Sequence, residues 1–258
     1  MAQDAQLAGP GNRRLRIELP ETSISYEQDS EWCLVEHEGG WRKIRFHNYA
    51  EIYGIEGLYE RLFYEILKCN SPRTVCGMLE VELTRAGTDP GELRVLDLGA
   101  GNGIMGEELV GAGVASVVGV DIIPEAREAA MRDRPGVYAE YHIVDMTALS
   151  EQQRAELSRH RFTALTCVAA LGFGDIPPDA FRESFNLVDA GGWVAFTIKD
   201  SFLSDQDPSG FAGLIKSAIA DGRLEVRSSE SYQHRLATTG EPLYYQAVIG
   251  RKVGPLAR

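Results

Sequence analysis

Hydrophobic and polar positions alternate in blocks from residue 91 onward, and the blocks predict strands and helices in turn. Short apolar runs suit buried strands, and the stretches between them carry apolar residues at three- and four-residue steps, as one face of a helix does. The predicted strands are residues 94–98, 116–120, 138–144, 162–170, 193–198, 224–232 and 243–252. Because the last two have no helix between them, they predict an antiparallel pair. We expect an α/β fold with a seven-stranded, mostly parallel, doubly wound sheet.

The N-terminal third has a different pattern. Residues 1–30 are polar and predict a loose arm. Residues 31–47 alternate between apolar and polar and predict a β-hairpin closed by a two-residue turn at Gly39-Gly40. That turn places Val35 opposite Ile44 on the apolar face.

Two helices are predicted after the hairpin. Residues 49–67 carry apolar side chains at helical spacing and are rich in aromatic residues, and residues 71–86 form a second helix ended by Gly87. We divide the chain into an arm (1–30), a hairpin with a helical cap (31–90) and a core (91–258).

Composition narrows the classes of function. The formal net charge of −12 argues against a nucleic-acid partner, which would need clustered Lys and Arg. The four cysteines have no metal-binding spacing, so no metal site is predicted and free thiols are expected. No apolar run reaches the roughly 18 residues of a membrane span, so a cytoplasmic protein without a membrane partner is expected.

A glycine-rich turn carries the strongest chemical signal. The strand at residues 94–98 contains Asp97 and runs into Gly99, Gly101 and Gly103. Glycines permit positive φ and close backbone approach, and the helix start that follows offers free N–H groups to a polar ligand. Asp121 follows at the end of the next strand, where an acid can accept hydrogen bonds from ribose hydroxyls.

Two families share part of this pattern. A Rossmann NAD(P)-dependent oxidoreductase would also show G-x-G-x-x-G, spelled here by Gly101, Gly103 and Gly106, with an acid such as Asp121 some 20 residues on. Two features argue against that alternative: Asp97 lies inside the strand, and the loop lies about 100 residues into the chain.

The D-x-G-x-G-x-G segment resembles the first motif of the class I S-adenosylmethionine (SAM)-dependent methyltransferases. The resemblance implies SAM as cofactor, with Asp121 on the ribose, Ile122 against the adenine, and Asp145-Met146 at the adenine edge; an exposed loop acid is the alternative for Asp145. The predicted cofactor-binding residues are Asp97, Gly99, Ala100, Gly101, Asn102, Asp121, Ile122, Asp145, Met146 and Tyr53.

Many members of this family carry helices before the core that cover the cofactor, so the resemblance implies that residues 49–67 form a lid. Its aromatic residues suit a planar or apolar acceptor, although core packing accounts for most of them. The predicted acceptor-site residues are Tyr49, Tyr59, Phe173, Lys199 and Asp200. Lys199 and Asp200 follow a strand end, where ligands of open sheets bind, but a simple salt-bridged pair is the alternative.

The resemblance implies methyl transfer to an oxygen or nitrogen of a small-molecule acceptor. The Asn/Asp-Pro-Pro-aromatic signature of amide and adenine N-methyltransferases is absent from residues 171–175. No base is assigned, and the titratable candidates by type are His37, His47, His142, Tyr53 and Asp200. A catalytically silent SAM-binding partner protein is a further alternative. The sequence does not decide whether the protein forms a homodimer.

Overall fold

The computed structural model describes residues 15–23, 26–204 and 208–257. Its strands are β1 (Ile17–Glu18), β2 (Trp32–His37), β3 (Gly40–Arg45), β4 (Arg94–Leu98), β5 (Ser116–Asp121), β6 (Glu140–Ile143), β7 (Ala164–Cys167), β8 (Trp193–Lys199), β9 (Leu224–Leu236) and β10 (Pro242–Lys252). Its α-helices are α1 (Tyr49–Gly54), α2 (Ser71–Ala86), α3 (Ile104–Gly111), α4 (Pro124–Asp133), α5 (Glu151–Ser158), α6 (Pro178–Leu187) and α7 (Phe211–Ala220).

Strands β4 to β10 form one sheet in the order β6-β5-β4-β7-β8-β10-β9. The first five are parallel, and β10 lies antiparallel between β8 and β9. The predicted seven-stranded fold is therefore confirmed. A dinucleotide-binding Rossmann sheet continues its parallel order without such an insertion, so β10 separates the two alternatives.

Side chains of the parallel strands alternate between two apolar layers, as the period of a strand requires. Val95 packs among residues of α2, α3 and the end of α4 on one face. Leu96 and Leu98 pack with residues of α5, α6 and α7 on the other. From β4 the chain continues to β5 on one side of the sheet, and from β7 it continues to β8 on the other side, so the strand order reverses between β4 and β7. Such a switch point opens a crevice at the carboxyl ends of the strands, where ligands bind.

The hairpin of β2 and β3 is present, but its predicted register is wrong. His37 pairs with Gly40 and Cys33 with Ile44, so Val35 does not lie opposite Ile44. The two turn residues are Glu38 and Gly39, both with positive φ (52° and 81°). A primed two-residue turn requires that conformation at both central positions. Because the predicted register differs by two residues, the apolar face is still the one predicted.

The single helix predicted over residues 49–67 is also wrong. The helix α1 ends at Gly54, and a π-helix, Glu60–Ile66, follows after a turn. Ile55 is extended (φ −101°, ψ 111°) and Gly57 has φ +73°, so the backbone leaves the α-helical conformation between the two segments. At the end of the π-helix, the N–H of Leu67 donates to the carbonyl of Leu62, five residues back.

The structure also differs from the predicted division into arm, cap and core at two places. Within the predicted arm, β1 pairs with β2, and the buried side chain of Gln28 donates to the Tyr245 hydroxyl (2.6 Å). Residues 1–14 of that arm lie outside the described residues. Helix α2, predicted as part of the cap, packs instead against the core sheet. Among the described residues, no helix is long and apolar enough to cross a bilayer.

Candidate cofactor and acceptor site

A cleft of about 410 Å³ lies at the carboxyl ends of the parallel strands. Its floor is formed by residues that end or follow β4, β5, β6 and β7, and its roof by aromatic residues of the cap. Ligand sites are usually about 300–1,000 Å³ in volume. The cleft therefore has room for a ligand of nucleotide size. Its lining includes Tyr49, Tyr53, Tyr59, Gly99, Asp121, Ile122, Asp145 and Met146.

The glycine loop lies between β4 and α3. Gly99 lines the cleft, and the N–H of Gly101 donates to Asp121 Oδ2 (3.0 Å). Gly101 has φ +54°, and a Cβ atom there would lie 2.5 Å from the hydroxyl oxygen of Tyr53. The cap therefore closes directly onto the loop, at a position that only glycine fits without displacement.

Asp121 ends β5 and lines the cleft. Its Oδ1 accepts from the N–H of Ile123 (3.0 Å), and its Oδ2 from Gly101. Burial raises the pKa of this carboxyl, and the backbone N–H groups act in the opposite direction. Because each carboxylate oxygen can accept more than one hydrogen bond, both can still receive a ligand hydroxyl.

Asp121→Ala is expected to weaken binding of S-adenosylhomocysteine by about 1.5–3 kcal/mol, or roughly 10- to 150-fold, because it removes charge-assisted acceptors from the cleft. Isothermal titration calorimetry measures the change. Asp221→Ala, which removes an exposed acid that does not line the cleft, is the matched control. Equal affinity of wild type and Asp121→Ala would contradict the ribose role.

Asp97 lies under the loop and not in the cleft. Its side chain is 1% exposed and accepts hydrogen bonds from the hydroxyls of Tyr138 (2.8 Å) and Thr166 (2.7 Å). Burial raises its pKa to about 6, although both hydroxyls act to lower it. Asp97 therefore ties β4 to β7 and to the segment before β6, which supports the loop from below.

Asp97→Asn is expected to change how stability depends on pH. The folded-state pKa of Asp97 lies above its unfolded value, so its contribution to stability is present at low pH and is lost as pH rises through about 6. The full pKa difference corresponds to about 3 kcal/mol in the free energy of unfolding. About 1 kcal/mol of it develops between pH 7.5 and 5.5. Both pH values lie above the sequence pI of 4.9.

Urea unfolding of wild type and Asp97→Asn across that range measures the effect. The stability of wild type relative to the variant should increase toward pH 5.5. A difference that does not vary with pH would show that Asp97 titrates normally.

The other predicted cofactor residues divide into two groups. Ile122, 58% exposed, and buried Met146 both line the cleft. Asp145 lines it too, but its Oδ1 already accepts from the backbone N–H and hydroxyl of Thr147, which lowers its pKa. The side chains of Ala100 and Asn102 do not line it in the described part of the chain.

Asn102 connects the loop to the cap instead. Its side-chain amide donates to Glu60 Oε1 (2.6 Å), and Arg134 Nη1 donates to the same oxygen (2.8 Å). Glu60 opens the π-helix. The loop, the cap and the residue after α4 are therefore joined by one carboxylate.

Three tyrosines of the cap cover the cleft. The rings of Tyr49 and Tyr53 are stacked with centroids 6.0 Å apart, and Tyr53 and Tyr59 are 5.0 Å apart. Tyr53 also packs against Ala126 and Ala129 of α4. Burial raises the pKa of Tyr53 well above its usual value, so its hydroxyl stays protonated and can donate.

A small recess of about 40 Å³ adjoins the cleft and shares Tyr49, Tyr59 and Asp175 with it. Phe173, predicted in the acceptor site, lines the recess. Lys199 lies with its Nζ 5.4 Å from the Phe173 ring centroid, but neither Lys199 nor Asp200 lines either cavity among the described residues.

His47 and Asp175 meet where the two cavities join. His47 Nδ1 lies 2.7 Å from Asp175 Oδ2, and both residues line both cavities. His47 was one of several candidate bases by type, whereas Asp175 was not predicted. The two are 128 residues apart in sequence, so only their separate positions, after the hairpin and after β7, could have suggested the pair.

The recess contains a buried amide that sequence reasoning also missed. Gln28 is 8% exposed, and its Oε1 has no hydrogen-bond partner among the described residues. His234 lies nearby, stacked on Tyr245 with centroids 4.1 Å apart, and burial lowers its pKa well below the usual value. The recess is therefore lined by neutral polar groups, by aromatic rings and by two charged side chains, Asp175 and Arg235, the second of which is paired with Glu31.

The sheet order, the glycine loop after β4 and the acid at the end of β5 together define the class I methyltransferase fold. The chain matches the family model described as "Methyltransferase domain" over residues 72–241. Because the match spans more than half of the chain, the protein belongs to this family, and the prediction of a class I methyltransferase that uses SAM is confirmed.

Two curated relatives carry the name ubiquinone biosynthesis O-methyltransferase. The one from Bordetella avium is 32% identical over 143 residues, which cover 55% of each chain. The one from Thiobacillus denitrificans is 33% identical over 104 residues, covering 40% of this chain and 43% of that relative. The chain thus spans about half the length of the curated relatives it matches.

Two solved structures share the fold. The N-methyltransferase NodS from Bradyrhizobium japonicum, in complex with S-adenosylhomocysteine, has a TM-score of 0.51 at 11% identity, covering 80% of this chain and 97% of that chain. A putative RNA methyltransferase from Pyrococcus horikoshii has a TM-score of 0.52 at 16% identity, covering 72% and 87%.

Proposed function

We propose that this protein transfers the methyl group of SAM to a hydroxyl oxygen of a small organic acceptor, with His47 as general base. The observation that carries the proposal is the His47–Asp175 pair, which lies where the cleft meets the recess. An O-methyltransferase name on the similar curated relatives supports oxygen as the acceptor atom.

The cleft fits the cofactor in size and in chemistry. Asp121 offers carboxylate oxygens at the end of β5, and exposed Ile122 offers an apolar surface beside it. The tyrosine rings of the cap suit a cation, because aromatic faces attract positive charge. Tyr49, Tyr53 and Tyr59 would then lie nearest the sulfonium end, and Asp121 would hold the ribose.

SAM, when bound, supplies an electrophilic methyl carbon on its sulfonium. A hydroxyl is a poor nucleophile until it loses its proton, and a positioned base commonly contributes about 10²–10⁴-fold to such a step. Asp175 accepts a hydrogen bond from His47 Nδ1–H, which leaves Nε2 free to take the acceptor proton. The acceptor oxygen forms the new bond to the methyl carbon, the sulfonium bond breaks, and the proton stays on His47.

The cap around the cleft excludes water from the two reactants. Holding them together without solvent can provide much of the rate. The recess, with about 40 Å³, admits only a few non-hydrogen atoms. The acceptor would therefore place one end in the recess, beside Gln28, and keep its reacting hydroxyl near His47.

We propose a division into a cap and a core whose boundary differs from the predicted one at residue 90: residues 31–67 form the cap, and the residues after 70 form the core. Helix α2 joins the core because Val75, Leu79 and Leu83 pack with Val95 of β4. Four free cysteines support the proposal of a cytoplasmic enzyme, since such compartments keep thiols reduced.

Residues 49–67 are expected to open and close over the ligand, because the cleft must exchange its contents. Amide hydrogen exchange in this segment should slow when S-adenosylhomocysteine binds, while exchange in α7 stays constant. The segment meets the glycine loop through the hydrogen bond from Asn102 to Glu60 and through Tyr53, whose hydroxyl lies beside Gly101. Equal protection with and without ligand would identify a fixed structural element.

The acceptor proposal is tested by release of S-adenosylhomocysteine with matched acceptors that differ only in a hydroxyl, an amine or a thiol on the same small ring. We expect turnover with the hydroxyl compounds. Turnover with amines alone would assign nitrogen as the acceptor. Binding of SAM without turnover on any acceptor would favour a catalytically silent SAM-binding protein.

A further inference from the structure

A second cluster of ligand-type side chains lies on the edge strand of the sheet, away from the cleft. Glu140 and His142 are two residues apart on β6, so their side chains project from the same face. His160 follows α5 and faces them from the connection to β7. None of the three lines the cleft or the recess within the described residues.

The donor atoms of the three residues converge. His142 Nε2 lies 3.2 Å and His160 Nε2 3.5 Å from the same oxygen, Glu140 Oε2, and one donor atom from each residue lies within 4.8 Å of the others. Zinc–nitrogen and zinc–oxygen bonds of about 2.0–2.2 Å place neighbouring ligands of a tetrahedral ion about 3.3–3.5 Å apart. The two contacts to Glu140 thus have the spacing of ligands around one ion.

The two imidazole nitrogens face Glu140 without forming a hydrogen bond to it. The Nε2 atoms of His142 and His160 are buried, and neither makes a hydrogen bond of acceptable geometry with the described residues. Leaving a buried polar atom unpaired costs about 1–3 kcal/mol. Coordination of a cation by the two lone pairs and the carboxylate would satisfy all three groups.

The cluster is also held in place and open to solvent. The His160 ring stacks on Phe162 with centroids 5.4 Å apart, and the His160 carbonyl accepts from Arg94 Nε (3.0 Å). The Glu140 side chain is 44% exposed, which gives an ion a path from solvent.

From this geometry we propose that Glu140, His142 and His160 bind a divalent transition-metal ion, with zinc the best match. Two imidazoles and one carboxylate suit zinc and its neighbours in the first transition row, and a water would complete the tetrahedron. The ion would join β6, the exposed edge of the sheet, to the segment between α5 and β7. The proposed site stands independently of the proposed methyl transfer, because none of its three residues lines the cleft or the recess.

The test is Zn²⁺ binding to chelator-treated full-length protein without a histidine tag, measured by competition with a chromophoric chelator. We expect one ion per chain with a dissociation constant in the micromolar range or below, and a higher melting temperature with Zn²⁺. Co²⁺ should give the visible absorption of a tetrahedral complex. His142→Ala and His160→Ala should each weaken Zn²⁺ binding at least about tenfold.

His37→Ala is the matched control, because it removes a histidine next to an acid, Glu38, in the hairpin; it should bind Zn²⁺ as wild type does. Glu140→Gln changes a partly exposed side chain and keeps the test valid if a histidine variant fails to fold. Equal Zn²⁺ affinity in wild type and the cluster variants would overturn the proposal. So would a wild-type dissociation constant above about 1 mM, which corresponds to only about 4 kcal/mol of binding.

Discussion

His47→Asn is expected to lower kcat for a hydroxyl acceptor by about 10²–10⁴-fold, because the variant has no group that can take the acceptor proton. The amide can still donate to Asp175, so the loop after β7 should keep its position. Affinity for S-adenosylhomocysteine should change little, since the proposed cofactor contacts are Asp121 and the cap. Steady-state kinetics and calorimetry measure the two quantities separately.

The pH profile distinguishes a base from a positioning residue. The acidic limb of the kcat/KM profile reports loss of an essential base, and it should disappear in His47→Asn. Asp175→Asn should reduce kcat and leave that limb in place, since the imidazole remains. His37→Asn, on a histidine outside both cavities, is the control. A wild-type rate in His47→Asn would remove His47 from the chemistry.

Gly101→Val is expected to abolish tight binding of SAM, with a loss of about 100-fold or more. The backbone at Gly101 has φ +54°, and a Cβ there would lie 2.5 Å from the Tyr53 hydroxyl. A branched side chain resists that conformation at a cost of about 1–3 kcal/mol. It would also push Tyr53 and the cap away from the loop, which opens the cleft to solvent.

Gly111→Val is the matched control, because a Cβ at Gly111, in the last position of α3, meets no atom within 4 Å. That variant should bind S-adenosylhomocysteine with wild-type affinity. Calorimetry on both variants, with circular dichroism to confirm folding, measures the difference. Normal affinity in folded Gly101→Val would show that the cap does not need to close on the loop.

The core of the fold was predictable because each of its elements carries its own signal. The strands β4, β5 and β8 are short and mostly apolar, and the glycine loop and Asp121 lie at the ends of β4 and β5. The antiparallel end of the sheet followed from two strands without a helix between them. The local sequence pattern was sufficient for these strands, because strands buried on both faces of a sheet read as near-continuous apolar segments.

The cap was predicted less well, because its details depend on backbone conformation and distant contacts. The turn at Glu38 and Gly39 needs a positive φ at a glutamate, which composition does not indicate. The π-helix after Gly57 has the same apolar spacing as an α-helix over a few residues. Asp97 fits the family motif, but its side chain supports the loop from below instead of facing the cleft.

The acceptor side of the site could not be assembled from sequence. His47, Asp175 and Gln28 come from three separate segments, and each is an ordinary polar residue in its local context. Their proximity arises only when the segment before β2, the end of the hairpin and the loop after β7 meet over the sheet.

The central claim, that this cleft binds SAM for methyl transfer, is tested most directly by a thermal-shift comparison of SAM, S-adenosylhomocysteine and NADH at equal concentrations. A ligand raises the melting temperature according to the ratio of its concentration to its dissociation constant. We predict that SAM and S-adenosylhomocysteine raise it in wild type, less so in Asp121→Ala, and that NADH has no effect. Stabilisation by NADH alone would contradict the assignment.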